Sequence, residues 1–298
     1  MQNSFIRNIS ANTFQLIINQ LFGLLIFYAL SKGLTKEIFG QVNWSLAVLL
    51  AVFGLLTFGM DQLLVKKVAA GTDGSHAFSG YLSHVIIFGS LFYGLLIGCY
   101  FFFPHLFPQQ YYLLFIGLGK LMIFFSTPYK QLAAGLEKFR HLLRMSIVSN
   151  VLRGTALAIL LFTGKMTVTH VFIVFIAGDL AELVVSIIIA KQILPQEYQF
   201  RPDRKMQGLF IKESLPQAGV IIFTALMSRF DWIIIGLIVS AGSLAEYSFA
   251  WKGLEVSSLP LYIIAPLMIP LFTRIIRAKK NINDLFFFWN GRSCSLPS

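Results

Sequence analysis

Long apolar runs alternate with short polar links along almost the whole chain. Eight of these runs lie at about residues 11–31, 42–65, 79–103, 111–128, 145–163, 169–190, 214–239 and 244–270. A helix of about 20 apolar residues crosses the hydrocarbon core of a bilayer, and each run has about that length. The pattern therefore predicts an all-α fold, a polytopic bundle of transmembrane helices without strands.

The last part of the chain departs from this pattern. A ninth apolar run begins at Leu285 and stops after five residues, and the tail GRSCSLPS at 291–298 is not typical of a helix. We therefore expect a C-terminally truncated protein with about eight spanning helices and a shortened ninth. The expected organisation is a six-helix lobe at 1–190, a cytoplasmic loop at 191–213 and a partial second lobe with an irregular tail at 214–298.

Composition excludes a soluble protein. Of the 298 residues, 56% are hydrophobic and only 12% are charged, whereas soluble domains carry about twice that charged fraction. The net charge of +11 does not require nucleic acid as a partner, because basic residues are common in the short cytoplasmic loops of membrane proteins.

Basic residues are distributed unevenly between the two sides of the predicted bundle. Sixteen lysines and arginines lie in the links on one side, from Arg7 to Lys280, and three lie on the other: Lys32, Lys36 and Lys165. Because cytoplasmic loops carry the excess of basic residues, the N-terminus and the 191–213 loop are predicted to be cytoplasmic.

Six charged residues fall in the middle half of a predicted span: Lys120, Arg153, Asp179, Arg229, Asp231 and Lys252. A charge at that depth costs about 2.5–3.5 kcal/mol on insertion scales, so these side chains should face protein or trapped water. The pattern predicts a polar centre in the bundle. For Arg229 and Asp231, two interpretations stay open: a structural pair that neutralises itself, or part of a functional site.

Four amides form a stripe on the first span. Asn8, Asn12, Gln15 and Asn19 are spaced 4, 3 and 4 residues apart, which puts them on one helix face, and Gly23 continues the stripe. Amides in hydrocarbon need hydrogen-bond partners. The stripe is therefore either a set of interhelical hydrogen bonds or the wall of a hydrophilic cavity.

Signatures of enzymes and metal sites are missing from the sequence. The five histidines are scattered over loops and span ends without ligand spacing, and two cysteines make neither a metal cluster nor a disulfide framework. We therefore expect a protein that is not an enzyme and that needs no metal or cofactor.

Several segments resemble one transporter family. They are Asn8 and Asn12 at the start of the first span, LTKEIFGQVNWSLAV at 34–48, and Arg229-x-Asp231 followed by IIIG, then Glu246-Tyr247 and Ala250-x-Lys252. Their order resembles the polysaccharide exporters of the multidrug/oligosaccharidyl-lipid/polysaccharide superfamily, the Wzx-type O-antigen flippases. Such proteins have two six-helix lobes related by a pseudo-two-fold axis.

The resemblance implies a flippase that moves a polyprenyl-pyrophosphate-linked oligosaccharide from the cytoplasmic to the outer leaflet of the inner (plasma) membrane by alternating access. Its expected partners are this lipid, the membrane lipids and a glycan polymerase or other assembly proteins, as in lipopolysaccharide synthesis. The expected substrate-binding residues are Asn12, Gln15, Asn19, Lys120, Arg153, Arg229 and Lys252. Asp179 and Asp231 are the candidates for coupling to an ion.

Two alternatives stay open. A cation-coupled drug exporter of the same superfamily is expected to have an acidic, aromatic cavity, against which the four central cations argue. A membrane glycan polymerase or ligase is expected to have a large outer loop with catalytic Arg or His, whereas the outer loops here are short.

Overall fold

The computed structural model describes residues 2–71, 74–103, 110–193 and 204–258, and within these ranges it contains helices and no strand. The helices are α1 (Gln2–Gly33), α2 (Lys36–Leu56), α3 (Met60–Ala70), α4 (Gly74–Phe102), α5 (Gln110–Gly135), α6 (Phe139–Phe162), α7 (Val168–Ile193) and α8 (Arg204–Ile234). A π-helical turn, Ile235–Val239, extends α8, and the described part of a ninth helix, α9, covers 241–258. The all-α prediction is confirmed.

Five of the described helices are long and apolar enough to cross a membrane. They are Lys36–Leu56, Gly74–Phe102, Tyr111–Gly135, Phe139–Phe162 and Val168–Ile193. A sixth span results if the segments Phe210–Ala225 and Met227–Val239, bent by 42°, are taken together. The end of the predicted span 244–270 and the whole irregular tail lie outside the described residues.

The predicted span 42–65 is wrong as a single helix. The chain breaks between α2 and α3, where Phe58 and Gly59 adopt positive φ angles of 53° and 74°. A Cβ on Gly59 would lie 2.5 Å from Cβ of Gln217 in α8. Glycine suits this position because its backbone is left-handed and because α8 lies too close for a side chain. Within the predicted 191–213 loop, residues 204–213 belong to α8, which begins at Arg204.

The helices share one core. Helices α5, α6 and α7 pack on one another, α1 lies on α6, and α8 lies along α2 and α3. Trp232 of α8 and Leu244 of α9 belong to the same buried cluster as Phe39 and Tyr81. The first pair of helices in the predicted second lobe therefore packs directly on the first lobe.

Helices α2 and α9 begin with the same kind of hydroxyl cap, which α7 also has at Thr167. Thr35 accepts a hydrogen bond from the Ile38 N–H at 3.4 Å before α2, and Ser240 accepts one from the Ser243 N–H at 3.0 Å before α9. A hydroxyl at this position satisfies one of the backbone donors that the first turn of a helix leaves free. The turns that lead into α2 and α9 are therefore stabilised in the same way.

Large apolar side chains cover much of the outer surface. On α4, Ile86, Ile87, Leu91 and Leu95 are all exposed. Contiguous apolar surface of this kind is disfavoured in water and is ordinary where the neighbour is a lipid chain. Since charged groups such as Asp179 and Glu182 are buried at the same time, the distribution fits a protein embedded in a bilayer.

A methyl group at Gly40 is expected to disrupt the contact between α2 and the start of α9. A Cβ there would lie 1.8 Å from the carbonyl oxygen of Ala241, which is backbone and cannot rotate away. We expect Gly40→Ala to lower the melting temperature of the detergent-solubilised protein by several degrees. Gly94→Ala is the matched control, because nothing lies within 4 Å of its Cβ position and alanine favours the helix. An unchanged melting temperature for Gly40→Ala would contradict this packing.

Candidate functional site

The charged residues predicted for the site lie in two separate groups, and the first is a buried ion network inside α5, α6 and α7. Lys120 Nζ lies 3.3 Å from Asp179 Oδ2. Arg153 Nη1 lies 3.3 Å from Asp179 Oδ1, in an ion-pair contact that lacks hydrogen-bond geometry. Asp179 is 0% exposed, and Lys120 and Arg153 are each 8% exposed. Both cations also lie over the ring of Phe175.

A second carboxylate continues this network towards the end of α5. Glu182 accepts hydrogen bonds from Lys130 Nζ at 2.6 Å and from the Ser149 hydroxyl. Arg153 Nη2 in turn donates to Ser149 Oγ at 3.1 Å. Lys130 reaches Glu182 because α5 runs on to Gly135.

The amide stripe joins the network at Asn19. Asn150 Nδ2 donates to Asn19 Oδ1 at 2.9 Å, and Asn150 Oδ1 accepts from Arg153 Nη2 at 3.0 Å. Asn19 therefore makes an interhelical hydrogen bond between α1 and α6. Asn12 and Gln15 lie in the helical backbone of α1, but their side chains are outside the described residues.

Small residues let the helices approach closely enough for this network. A Cβ on Gly119 of α5 would lie 2.8 Å from Asp179 Oδ2, and one on Gly178 of α7 would lie 2.8 Å from Cγ of Arg153. Glycine at such positions is the usual means of close contact between membrane helices.

The second group lies in a cavity between the two helix pairs α1–α2 and α8–α9. The cavity has a volume of about 190 Å³. Its lining residues are Gly23, Ile26, Phe27, Leu30, Asn43, Leu46, Ala47, Leu50, Arg229, Trp232, Trp251, Lys252 and Glu255. The four cations predicted to share one cavity are thus divided between the two groups. Arg229 and Lys252 line this cavity, whereas Lys120 and Arg153 belong to the buried ion network.

Each of the two cavity cations lies over the face of an aromatic ring. The guanidinium of Arg229 lies 5.4 Å from the centroid of the Trp232 ring, and Lys252 Nζ lies 5.8 Å from that of Phe27. Lys252 Nζ also pairs with Glu255 Oε2 at 2.7 Å. A cation over an aromatic face is stabilised by about 0.5–2 kcal/mol, so both positive charges remain favourable beside an apolar wall.

Asp231 has partners of its own. It accepts hydrogen bonds from the Tyr247 hydroxyl and, at 2.9 Å, from the Trp232 backbone N–H. Among the ion pairs in the described part of the chain, none joins Asp231 to Arg229. The two side chains thus form no direct ion pair, although their charges still interact, and Arg229 lines the cavity.

The wall of the cavity is fixed by contacts between the two helix pairs. The Trp44 indole N–H of α2 donates to the Ile233 carbonyl at 3.2 Å, next to the π-helical turn. Rings of Phe27 and Phe249 meet edge to face at 5.0 Å between α1 and α9.

The geometry of the cavity is suited to binding an anion. Two cations and one carboxylate line the cavity, and the described residues contain no cluster of three or more His, Cys, Asp or Glu that could hold a metal ion. In addition, the buried indole N–H of Trp232 has no hydrogen-bond partner among the described residues. An indole N–H is only a donor, so it suits an acceptor such as a phosphate oxygen.

Residues 5–276 match the family described as polysaccharide biosynthesis protein. The chain belongs to this family. No curated protein matches the chain in sequence. The resemblance predicted from the sequence motifs is confirmed at the level of the family, which makes the protein a member of a group linked to polysaccharide synthesis.

The fold of the chain is similar to that of several solved structures. The chain is similar to an outward-facing multidrug resistance MATE family transporter of the MOP superfamily, with a TM-score of 0.65, 15% identity and coverage of 88% of this chain and 62% of that one. It is also similar to the inward-facing conformation, with a TM-score of 0.61, 14% identity and coverage of 86% and 63%. It is similar as well to a MOP superfamily transporter from Pyrococcus furiosus, with a TM-score of 0.61, 13% identity and coverage of 88% of this chain and 62% of that one.

These structures define the fold of the chain. The chain spans less than two thirds of the length of each of these three structures. The fold and the apolar helices together make it a multi-pass membrane protein.

Sequence reasoning missed several cavity residues. Trp232 and Trp251 look like ordinary apolar residues of a span, and Asn43 is a single amide near the start of one. Glu255 lies three residues after Lys252, and this i,i+3 spacing is the one signal that marks it as a partner.

Proposed function

We propose that the protein is a flippase for a polyprenyl-pyrophosphate-linked oligosaccharide, such as an O-antigen precursor. The observation that supports this most is the cavity between the helix pairs, lined by Arg229 and Lys252 with one carboxylate. Moving a pyrophosphate out of water is costly unless nearby cations compensate its charge. The planar guanidinium of an arginine can bind two phosphate oxygens at once. The apolar outer surface can solvate the polyprenyl chain while the headgroup crosses.

Of the predicted substrate-binding residues, we assign Arg229 and Lys252 to the phosphates. Lys120 and Arg153 are already engaged by Asp179, so we propose a structural role for them. Asn19 is engaged by Asn150. Sugar binding by Asn12 and Gln15 stays a prediction, as does ion coupling by Asp179 or Asp231.

In this proposal the protein lies in the plasma (inner) membrane with its N-terminus in the cytoplasm and delivers its cargo to a glycan polymerase. Alternating access would come from rocking of one helix group against the other. The alternative function, a drug exporter, is suggested by the multidrug transporters of similar fold. One relative is described as having a binding pocket of reverse polarity, so the fold alone does not fix the charge of the cargo.

Reconstituted vesicles can separate these functions. We expect the protein to move a fluorescent polyprenyl-pyrophosphate oligosaccharide between leaflets faster than protein-free vesicles do, and we expect inorganic pyrophosphate to inhibit this movement. A lipophilic cationic dye is the matched cargo and should move no faster than in empty vesicles. Movement of the dye instead of the lipid would favour the exporter, and covalent lengthening of the glycan would indicate a polymerase.

A further inference from the structure

Glu255 is the acidic residue of the cavity lining, and it lies where an anionic ligand would have to bind. Its carboxylate oxygen Oε2 is 2.7 Å from Lys252 Nζ on the same helix. Its charge, like that of Asp231, also acts on Arg229, which comes from α8 on another side of the cavity. Glu255 is therefore the ion-pair partner of Lys252 and lines the same cavity as Arg229.

The exposure of this group distinguishes it from the two carboxylates of the buried ion network. The side chain of Glu255 is 34% exposed, whereas those of Asp179 and Glu182 are 0% and 5% exposed. Asp179 and Glu182 lie inside the helix bundle, where a ligand could not replace them without unpacking it. Glu255 borders the cavity and can turn away from Lys252 without creating a buried charge.

We infer that Glu255 is the counter-ion of Lys252 in the empty cavity, and that an anionic headgroup displaces it when the headgroup binds Lys252 and Arg229. The inference rests on the proposed function and adds a specificity residue to it. In the empty cavity the carboxylate neutralises one of the two cations. A ligand with a single negative charge gains little by replacing it, whereas a pyrophosphate brings more charge and can contact both cations.

The same competition favours release of the cargo. A transporter must bind its substrate in one leaflet and free it in the other, so a cavity with two unopposed cations would hold a pyrophosphate too long. When the headgroup leaves, Glu255 pairs again with Lys252, and the free energy of this ion pair offsets part of the lost phosphate contacts. Glu255 thus lowers affinity and sharpens the preference for polyanions.

Binding of inorganic pyrophosphate to the purified protein tests this inference, with tryptophan fluorescence as the signal because Trp232 and Trp251 line the cavity. We expect Glu255→Gln to bind pyrophosphate at least about tenfold more tightly than the unmodified protein, since a like charge beside the ligand has been removed. Its ratio of pyrophosphate to monophosphate affinity should fall. In vesicles, its transport rate at saturating lipid should also fall, because release becomes slow.

Two further variants make the result specific. Glu246→Gln removes an exposed carboxylate of the same helix that pairs with Lys36, and it should leave pyrophosphate binding unchanged. Glu255→Asp keeps the charge and should restore most of the unmodified affinity. Equal or weaker pyrophosphate binding by Glu255→Gln would overturn the inference, even if the unmodified protein transports the lipid. Tighter binding without any lipid transport would instead remove the proposed function.

Discussion

Replacing Asp179 with asparagine is expected to destabilise the folded protein by about 3–5 kcal/mol. The change leaves Lys120 and Arg153 buried at the meeting point of three helices without the negative charge that both contact at 3.3 Å. An uncompensated charge in this position costs far more than the pair contributes. The measurement is the free energy of unfolding, or the melting temperature, in detergent micelles.

The exposed pair of Lys36 and Glu246 provides the control. Its side chains are 52% and 72% exposed, so Glu246→Gln should cost less than about 1 kcal/mol. A triple change of Lys120, Arg153 and Asp179 to apolar residues of similar volume should recover most of the stability lost in Asp179→Asn. If Asp179→Asn melts like the unmodified protein, the two cations are hydrated rather than structural.

The buried charges could be predicted from the sequence, but their partners could not. Each of Lys120, Arg153 and Asp179 interrupts a long apolar run, which is enough to predict a protein-facing charge. Which charges meet depends on which helices are neighbours and on their rotation. Here two glycines, Gly119 and Gly178, decide how close the helices come, and a glycine in an apolar run looks the same whether or not it forms a contact.

The break between α2 and α3 shows a second kind of limit. The run from 42 to 65 contains no proline, so its hydropathy predicts one helix. The break occurs where Gly59 faces the backbone of α8, about 160 residues later in the chain, with a Cβ position 2.9 Å from the Ala218 nitrogen. Such a contact is set by tertiary packing and leaves no local signal beyond a glycine.

The cavity could be predicted only in outline. Arg229 and Lys252 are recognisable as charges within apolar runs, and both line it. Glu255, Trp232 and Asn43 join them through helix packing, and the expectation of a single site for four cations ignored that Asp179 lies between two of them. Local spacing cannot distinguish a charge that is paired inside the bundle from one that borders a cavity.

Loss of the positive charge at Arg229 is expected to abolish transport without unfolding the protein, and Arg153 provides the matched contrast. We expect Arg229→Gln to reduce movement of the pyrophosphate-linked oligosaccharide at least about 30-fold, because removing one partner of a desolvated charge contact costs about 2–5 kcal/mol. Its melting temperature should stay close to that of the unmodified protein, since Arg229 stacks on Trp232 and borders the cavity.

Arg153→Gln should give the opposite pattern. It removes a buried charge from Asp179 and Ser149, so the protein should melt at a lower temperature, and any loss of transport should follow the loss of folded protein. Arg229→Lys should recover only part of the transport, because an ammonium keeps the charge but not the two-pronged contact with phosphate. If Arg229→Gln transports normally while Arg153→Gln is stable and inactive, the substrate site lies in the buried network, and the assignment made here is reversed.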